Sequence, residues 1–270
     1  MSSQKDSKKV KKIIFNLLIV ALSVVFVFAI VKIVSYYYQS NQSKRLNSSM
    51  AEEFVIYEEG VEPPTVIVEG DIESEPKEYY YAPIPKEIDF AKLIKQNSDV
   101  VGWIFNQNGV INYPILQGET NDYYLTRLIN GKTNANGSIY MDSLNNSNFS
   151  DRNTIIYGHS MQNGTMFGTL LRYRYQSYCD AYPEFYIYTP YAKYRVEVFA
   201  AYETTINDKV YNFFTNESDF EEFLSYAKNK SKIKTEVSVT ASEKIVTFST
   251  CAYSSNDSRF VVCGKLVPIE

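Results

Sequence analysis

Histidine and cysteine are scarce in this sequence, and it has no excess of positive charge, with 27 Lys and Arg against 31 Asp and Glu. Each of these features excludes a class of function. The 270 residues include 1 His and 3 Cys, and the formal net charge is −4. A nucleic-acid-binding domain would carry clustered excess positive charge, so that class of partner is excluded. Three irregularly spaced cysteines exclude a disulfide framework, and with one histidine they form no zinc-binding pattern.

One long apolar run lies near the amino terminus, over residues 13–31, and contains no charged residue. As a helix it is long enough to cross a hydrocarbon layer of about 30 Å. Before it come Lys8, Lys9, Lys11 and Lys12, and after it come Tyr36, Tyr37 and Tyr38. This pattern predicts a single-pass membrane anchor with a cytoplasmic amino terminus and an extracellular remainder. The alternative is a cleaved signal peptide, but the small-residue cleavage pattern of such a peptide does not follow this run.

The charge pattern divides the chain into four predicted segments. Residues 1–12 form a cytoplasmic basic tail, 13–35 the transmembrane anchor, 36–86 an acidic extracellular linker and 87–270 a globular domain. The linker is rich in glutamate around Pro63 and Pro64. Because like charges repel and prolines stiffen the chain, we expect an extended spacer there. Docking to a basic partner, or covering of the active site, remains an alternative role for it.

The globular segment contains eight short runs typical of β-strands. They are residues 99–105, 109–115, 137–141, 153–159, 184–189, 194–204, 244–250 and 259–267. The first two flank Asn108–Gly109, which predicts a hairpin turn. Eight short strands favour a closed barrel or a sandwich over a parallel α/β sheet, so the expected fold is mainly β with added helices.

Helical periodicity appears in three places among these strands. Near residue 90, Phe90, Leu93 and Ile94 fall on one face of a short predicted helix. Residues 166–173 form a second helical patch. Residues 217–229 carry an apolar stripe of Phe220, Leu224 and Ala227 with Ser218 as the expected cap, which predicts a covering helix in the link between the sixth and seventh strands.

Three residues at strand ends could perform chemistry together. His159, the only histidine, ends one apolar run after Gly158, and Cys251 ends another before a polar loop. Arg259 begins the next strand, so a hairpin-like return would bring its guanidinium beside Cys251. Strand ends and loops are where a rigid scaffold presents functional side chains. Cys179, by contrast, is interpreted as a buried structural thiol.

The three side chains have complementary chemical roles. A free thiol has a pKa of about 8.5, so attack on an amide needs an imidazole that accepts its proton or an ion pair with imidazolium. His159 supplies either. Arginine stays protonated and donates hydrogen bonds, so Arg259 suits the stabilisation of a developing oxyanion and not base catalysis.

These motifs resemble the signatures of the sortases, and they occur in the same order. The catalytic segments are YGHSM at 157–161, TFSTC at 247–251 and Arg259; residues 101–104, 111–118, 121–125 and 137–142 are similar to the family's amino-terminal half. The resemblance covers about residues 88–267. The helix in the link between the sixth and seventh strands resembles class B, although Phe248 stands where class B motifs have leucine.

The resemblance implies a closed eight-stranded sortase barrel with an amino-terminal helix and a helix in the link between strands six and seven. It also implies a ping-pong reaction in which Cys251 attacks the threonine carbonyl of a sorting motif in a secreted protein and forms a thioester. An amine of the peptidoglycan precursor, of the lipid II type, then resolves the thioester. Groove-lining positions are matched by Asn121, Leu125, Tyr157 and Ser249, and no metal or organic cofactor is implied.

Two other functions stay open at this point. A cysteine peptidase would use the same thiol and imidazole, although such enzymes usually place cysteine before histidine and add Asn or Asp as third residue. A noncatalytic surface binding module would retain the barrel without the reaction. The ratio of transfer to hydrolysis, and the reactivity of Cys251, distinguish these alternatives.

Overall fold

The computed structural model describes residues 2–58, 60, 81–252 and 257–269, with side chains from residue 11 onward. Helix α1, Ser2–Phe54, contains neither glycine nor proline, so no residue within it interrupts the helix. Its apolar part is long and apolar enough to cross a membrane, which a signal sequence would also be. The chain divides into two compact units, Met1–Gln42 and Ser43–Glu270.

The expected extended spacer is wrong for residues 36–54, which belong to α1. In the second unit, Met50 and Phe54 at the end of α1 are buried in a cluster with Leu93 and Trp103. Strand β1 (Val55–Ile56) then pairs antiparallel with β2 (Glu87–Ile88). The burial of these apolar side chains therefore stabilises a helix where the polar composition of the segment had suggested an extended spacer. Most of the acidic stretch, residues 61–80, lies outside the described residues.

A closed barrel of eight strands forms the centre of the second unit, and every predicted strand is present. The strands are β3 (Val100–Asn106), β4 (Asn112–Leu116), β5 (Ile139–Met141), β6 (Asn153–Tyr157), β7 (Glu184–Tyr188), β8 (Lys193–Thr205), β9 (Ile245–Cys251) and β10 (Ser258–Ile269). Their order around the barrel is β10-β8-β7-β3-β4-β5-β6-β9. The β4/β5 and β6/β9 pairs are parallel. The barrel prediction is confirmed, and Gly109 in the β3–β4 turn has the positive φ of +72° that favours glycine.

Helix α2 (Phe90–Gln96) begins after Asp89, whose carboxylate accepts a hydrogen bond from the Lys92 amide. Leu93 is buried as predicted, but Ile94 is 36% exposed, so the predicted apolar face of this helix is partly wrong. Residues Gly168–Arg174 form a 3₁₀-helix that overlaps the predicted patch of 166–173. Helix α3 (Gln176–Ala181) was not predicted, because it is too short to show a helical period.

Helix α4 (Glu217–Lys230) lies between β8 and β9, the sixth and seventh barrel strands, as predicted. Phe220, Leu224 and Ala227 are buried, and Phe223 joins them. The N-cap is Asn216 and not Ser218, which was the predicted cap. The Asn216 side chain accepts a hydrogen bond from the Asp219 amide. These apolar residues pack on the outer face of β8, β9 and β10, against residues that include Ile245, Val261 and Cys263.

Candidate active site

Cys251 is presented by the alternation of side chains along β9. Val246 and Phe248 point into the barrel core, whereas Ile245 faces outward under α4. Because side chains alternate with a period of two, Cys251 shares the outward face of Ile245. Cys251 is the last residue of the strand, and its side chain is exposed. The thiol therefore lies on the outer face at the end of a barrel strand and not in the core, as predicted.

Arg259 lies directly opposite Cys251. In the antiparallel β9–β10 pair the two residues are register partners, and Thr204 of β8 is the partner of Arg259 on its other side. Directly opposed residues of an antiparallel pair have Cβ atoms about 4.5–5.5 Å apart, with both side chains on one face. The guanidinium donates to the Ser258 carbonyl at 2.9 Å. The structure thus brings Arg259 beside the thiol, as the hairpin return predicted.

His159 follows the end of β6, which is the neighbour of β9 on the side opposite β10. Strand β6 runs parallel to β9 with Tyr157 opposite Ser249, and the Gly158 amide donates to the Ser249 carbonyl at 3.2 Å. The Thr250 hydroxyl donates to the Gly158 carbonyl at 2.7 Å. His159 lies two residues beyond the Tyr157–Ser249 pair and lines the same cavity as Cys251.

One nitrogen of the His159 ring already makes a hydrogen bond with the backbone. Nε2 lies 2.8 Å from the carbonyl oxygen of Leu125. A carbonyl can only accept a hydrogen bond, so Nε2 carries the hydrogen and donates it. In the neutral ring this leaves Nδ1 without a proton and able to accept one. The hydrogen bond therefore selects the tautomer, as the backbone partner of a catalytic histidine often does.

Gly158 before the histidine is required by close packing. A Cβ atom at this position would lie 2.5 Å from Cδ1 of Ile139 and 2.7 Å from the ring of Phe167, and both neighbours are buried. We predict that Gly158→Ala lowers the free energy of unfolding by about 1–3 kcal/mol through overpacking. Denaturant unfolding measures this change. Hydrogen exchange of residues 158–168 should also increase, and unchanged exchange there would contradict the packing argument.

The catalytic candidates share one cavity of about 340 Å³ with the four residues predicted to line a groove. All seven sequence-predicted residues line it: Asn121, Leu125, Tyr157, His159, Ser249, Cys251 and Arg259. The structure adds lining residues that the sequence did not indicate: Asp122, Tyr140, Gly158, Ile206, Tyr211 and Thr250. Between β8 and α4, Ile206 lies in a turn and Tyr211 ends a short 3₁₀-helix, Lys209–Tyr211, so no periodic pattern could reveal them.

The side walls of this cavity are held by hydrogen bonds. Buried Asp142 accepts from the Tyr157 hydroxyl at 2.8 Å and from the Asn121 amide at 3.0 Å. Burial and the Asp142 charge raise the pKa of Tyr157 well above its usual value, so this phenol stays neutral. On the other wall, the Tyr211 and Ser249 hydroxyl oxygens are 2.8 Å apart. Three of the four predicted groove residues are thus fixed by polar neighbours.

The other two thiols are chemically different from Cys251. Of the three cysteines, all of which the structure describes, only Cys251 is exposed. Burial raises the pKa of Cys179 and of Cys263 to about 12. Since the thiolate is the nucleophile, both buried thiols are unreactive near neutral pH. The prediction that Cys179 is a buried structural residue is confirmed. Within the described residues, no group of three His, Cys, Asp or Glu side chains could hold a metal ion.

Comparison with known proteins finds similarity to sortases in a family model, in a curated protein and in solved structures. A family model described as the sortase domain matches residues 107–267. Sortase B of Staphylococcus aureus (strain NCTC 8325 / PS 47) is 39% identical over 184 residues, covering 67% of this chain and 75% of that protein. The solved S. aureus sortase B–substrate complex has a TM-score of 0.64 at 39% identity, covering 67% of this chain and 85% of that chain. A sortase B complexed with triglycine has a TM-score of 0.64 at 39% identity, covering 67% of this chain and 86% of that chain.

Proposed function

Because the chain belongs to the sortase family, in its sortase B class, and is a cysteine transpeptidase, we propose that Cys251, His159 and Arg259 are its catalytic residues. The observation that carries this proposal is the single cavity that the three residues line on neighbouring elements. Arg259 is the register partner of Cys251 in the β9–β10 pair, and His159 follows the end of β6, which pairs with β9. All three line one cavity.

In the first half-reaction, the Cys251 sulfur attacks the threonine carbonyl of a sorting motif. The negative charge that develops on the carbonyl oxygen is stabilised by the Arg259 guanidinium. His159 takes the thiol proton and gives it to the leaving amine, so the peptide bond breaks as the thioester forms. In the second half-reaction an amine attacks the thioester, its proton passes through His159 to the sulfur, and the free thiol is restored.

The donor substrate is a secreted protein that carries a sorting motif, bound along the cavity. We assign contacts with the motif to the predicted groove residues Asn121, Leu125, Tyr157 and Ser249, and add Ile206 and Tyr211. The acceptor is an amine of the peptidoglycan precursor, of the lipid II type. A solved sortase B is complexed with triglycine, and a glycine peptide with a free amino terminus is an acceptor of this kind, which supports the proposal.

The proposed location is the cell membrane, with residues 13–35 of α1 as a single-pass anchor, the amino terminus in the cytoplasm and the catalytic unit outside. The apolar part of α1 and the lysines before it support this orientation. Protease treatment of intact cells tests it. The catalytic unit should be digested from outside, and full protection of that unit would contradict the orientation.

Product masses test transfer against hydrolysis. The protein is incubated with a library of sorting-motif peptides, with and without triglycine. We expect a triglycine adduct as the main product and the hydrolysed peptide as a minor product that increases when the amine is omitted. Hydrolysis alone, at any amine concentration, would identify a peptidase and contradict the proposed transfer.

Exchange of the Arg259 guanidinium for an ammonium tests the proposed oxyanion role. Arg259→Lys keeps the positive charge but loses the planar fork of donors. We expect the acylation rate to fall about 10²–10³-fold, the usual loss when one oxyanion donor is removed. Arg152→Lys, remote from the cavity, is the control and should retain the wild-type rate. Near-normal acylation by Arg259→Lys would contradict this role.

A further inference from the structure

One side of the cavity is formed by the segment that joins β8 to α4. We call residues 206–211 the wall segment. Ile206 is 46% exposed and lines the cavity with Tyr211. The Tyr211 ring stacks on that of Tyr157, with centroids 6.3 Å apart and an interplanar angle of 14°. The position of the wall segment therefore sets one boundary of the space available to a bound peptide.

Asp208 lies between these two residues in sequence but does not line the cavity. Its side chain is 3% exposed. One carboxylate oxygen accepts from the Thr204 hydroxyl, from the Tyr226 hydroxyl at 2.5 Å and from the Lys230 ammonium at 2.8 Å. The other oxygen accepts from the Val210 amide at 2.9 Å. A buried carboxylate is thus fully satisfied, which the high cost of burying an unpaired charge requires.

Lys230 completes the network from the last turn of α4. Besides Asp208, its ammonium donates to the Thr204 hydroxyl at 2.9 Å and to the Tyr226 hydroxyl at 2.8 Å. These contacts use all three ammonium hydrogens. Burial alone would raise the pKa of Asp208, but the hydrogen bonds from Lys230, Thr204 and Tyr226 outweigh it and hold that pKa below its usual range. The pair is therefore ionised at neutral pH.

The network joins three elements next to the reactive residues. Thr204 belongs to β8 and is the register partner of Arg259. Asp208 belongs to the wall segment, and Tyr226 and Lys230 belong to α4. The network therefore connects the helix to the strand that carries the neighbour of Arg259 and to the wall of the cavity.

Apolar packing and the network act on different parts of this region. Helix α4 does not need the network in order to dock, because its apolar face is already buried against the barrel. Val210, near the end of the wall segment, is buried in the same apolar cluster. Ile206, at the start of the segment, is largely exposed. The specific effect of the network is therefore on the first half of the wall segment, where Asp208 fixes the backbone between these two residues.

We propose that Asp208, Tyr226 and Lys230 are positioning residues for substrate binding, which hold Ile206, at the start of the wall segment, against the groove and make α4 part of peptide recognition. This inference rests on the proposed function of the cavity. Its mechanism is preorganisation: a wall already in place does not lose conformational freedom when the peptide binds. Loss of the network should therefore weaken peptide binding and leave the chemistry of Cys251 unchanged.

The test compares two variants of the network with a matched surface pair. Lys230→Met removes the charge-assisted bonds, and Tyr226→Phe removes a single hydroxyl. Glu222→Gln is the control, because Glu222 pairs with Lys209 at 2.6 Å across the same two elements but on the surface. The substrate is the library peptide that gives the strongest acyl-enzyme signal with the wild type. A small methanethiosulfonate reagent reports the reactivity of Cys251 separately.

We expect Lys230→Met to raise KM about tenfold and Tyr226→Phe about threefold, with kcat and thiol labelling within about twofold of the wild type. Hydrogen exchange of residues 206–211 should rise in both variants, and Glu222→Gln should change nothing. Unchanged KM in both folded variants, or an equal rise in Glu222→Gln, would overturn the proposal. A parallel fall of kcat and labelling would also overturn it, since this indicates general disruption.

The two proposals can fail separately. If the wild type forms no acyl-enzyme with any peptide, the proposed function of the cavity fails. The exchange comparison still tests the positioning role in that case. Equal exchange of residues 206–211 in Lys230→Met and Glu222→Gln would show that the network does not hold the wall segment.

Discussion

Replacing Cys251 with alanine is expected to abolish both acyl-enzyme formation and transpeptidation while the protein stays folded. The thioester needs a sulfur nucleophile at this position, and no other thiol can substitute, because Cys179 and Cys263 are buried and have raised pKa values. The side chain of Cys251 is exposed, so its truncation removes few packing contacts. Product masses after prolonged incubation measure the loss, and thermal unfolding checks the fold.

Cys179→Ala is the matched control for this experiment. It also removes one sulfur, but from the core. We expect it to lower stability by leaving a small cavity and to retain turnover per folded molecule. Residual transpeptidation by Cys251→Ala above the level of a no-enzyme blank would contradict the role of Cys251 as nucleophile.

Replacing His159 with glutamine is expected to lower the acylation rate about 10²–10⁴-fold, the usual contribution of a positioned general acid or base. Glutamine retains an N–H group that can donate to the Leu125 carbonyl, as Nε2 of His159 does, but it cannot exchange a proton. Since His159 is the only histidine, no other imidazole can take over. Stopped acylation reactions analysed by intact mass give the rate.

Chemical rescue separates the proton-transfer role of His159 from a structural one. In His159→Ala the side chain is replaced by a space next to the cavity, and added imidazole should restore part of the acylation rate. The same addition should leave Arg259→Lys unchanged. A His159→Gln variant that acylates at the wild-type rate would contradict the proposed proton transfer.

Much of the barrel could be predicted because its strands carry their own signals. Runs of β-branched and aromatic residues bounded by turns predicted all eight strands, and the Asn108–Gly109 pair predicted the hairpin. The helical segment 36–54 could not be predicted in this way. Its composition is mainly polar, and its helical state depends on apolar residues such as Met50 and Phe54 that become buried against distant strands.

The same distinction between local sequence patterns and tertiary contacts applies to the residues of the candidate site. Cys251 and His159 were recognisable because each ends a run of strand-forming residues, and Arg259 because it begins one. By contrast, Asp142 and Asp208 acquire their roles from tertiary contacts with Tyr157 and Lys230, residues far from them along the chain or on another element. Local sequence patterns carry no information about such partners, so these contacts had to be read from the structure.

The central claim is that Cys251 carries the acyl group, and mapping the trapped acyl-enzyme tests it most directly. The wild-type protein is incubated with the peptide library without an amine acceptor, quenched in acid to preserve the thioester, digested and analysed by mass spectrometry. The account predicts one acyl adduct, of the mass of the peptide up to its threonine, on the fragment that contains Cys251. An adduct on Cys179, on Cys263 or on a residue other than cysteine would contradict it.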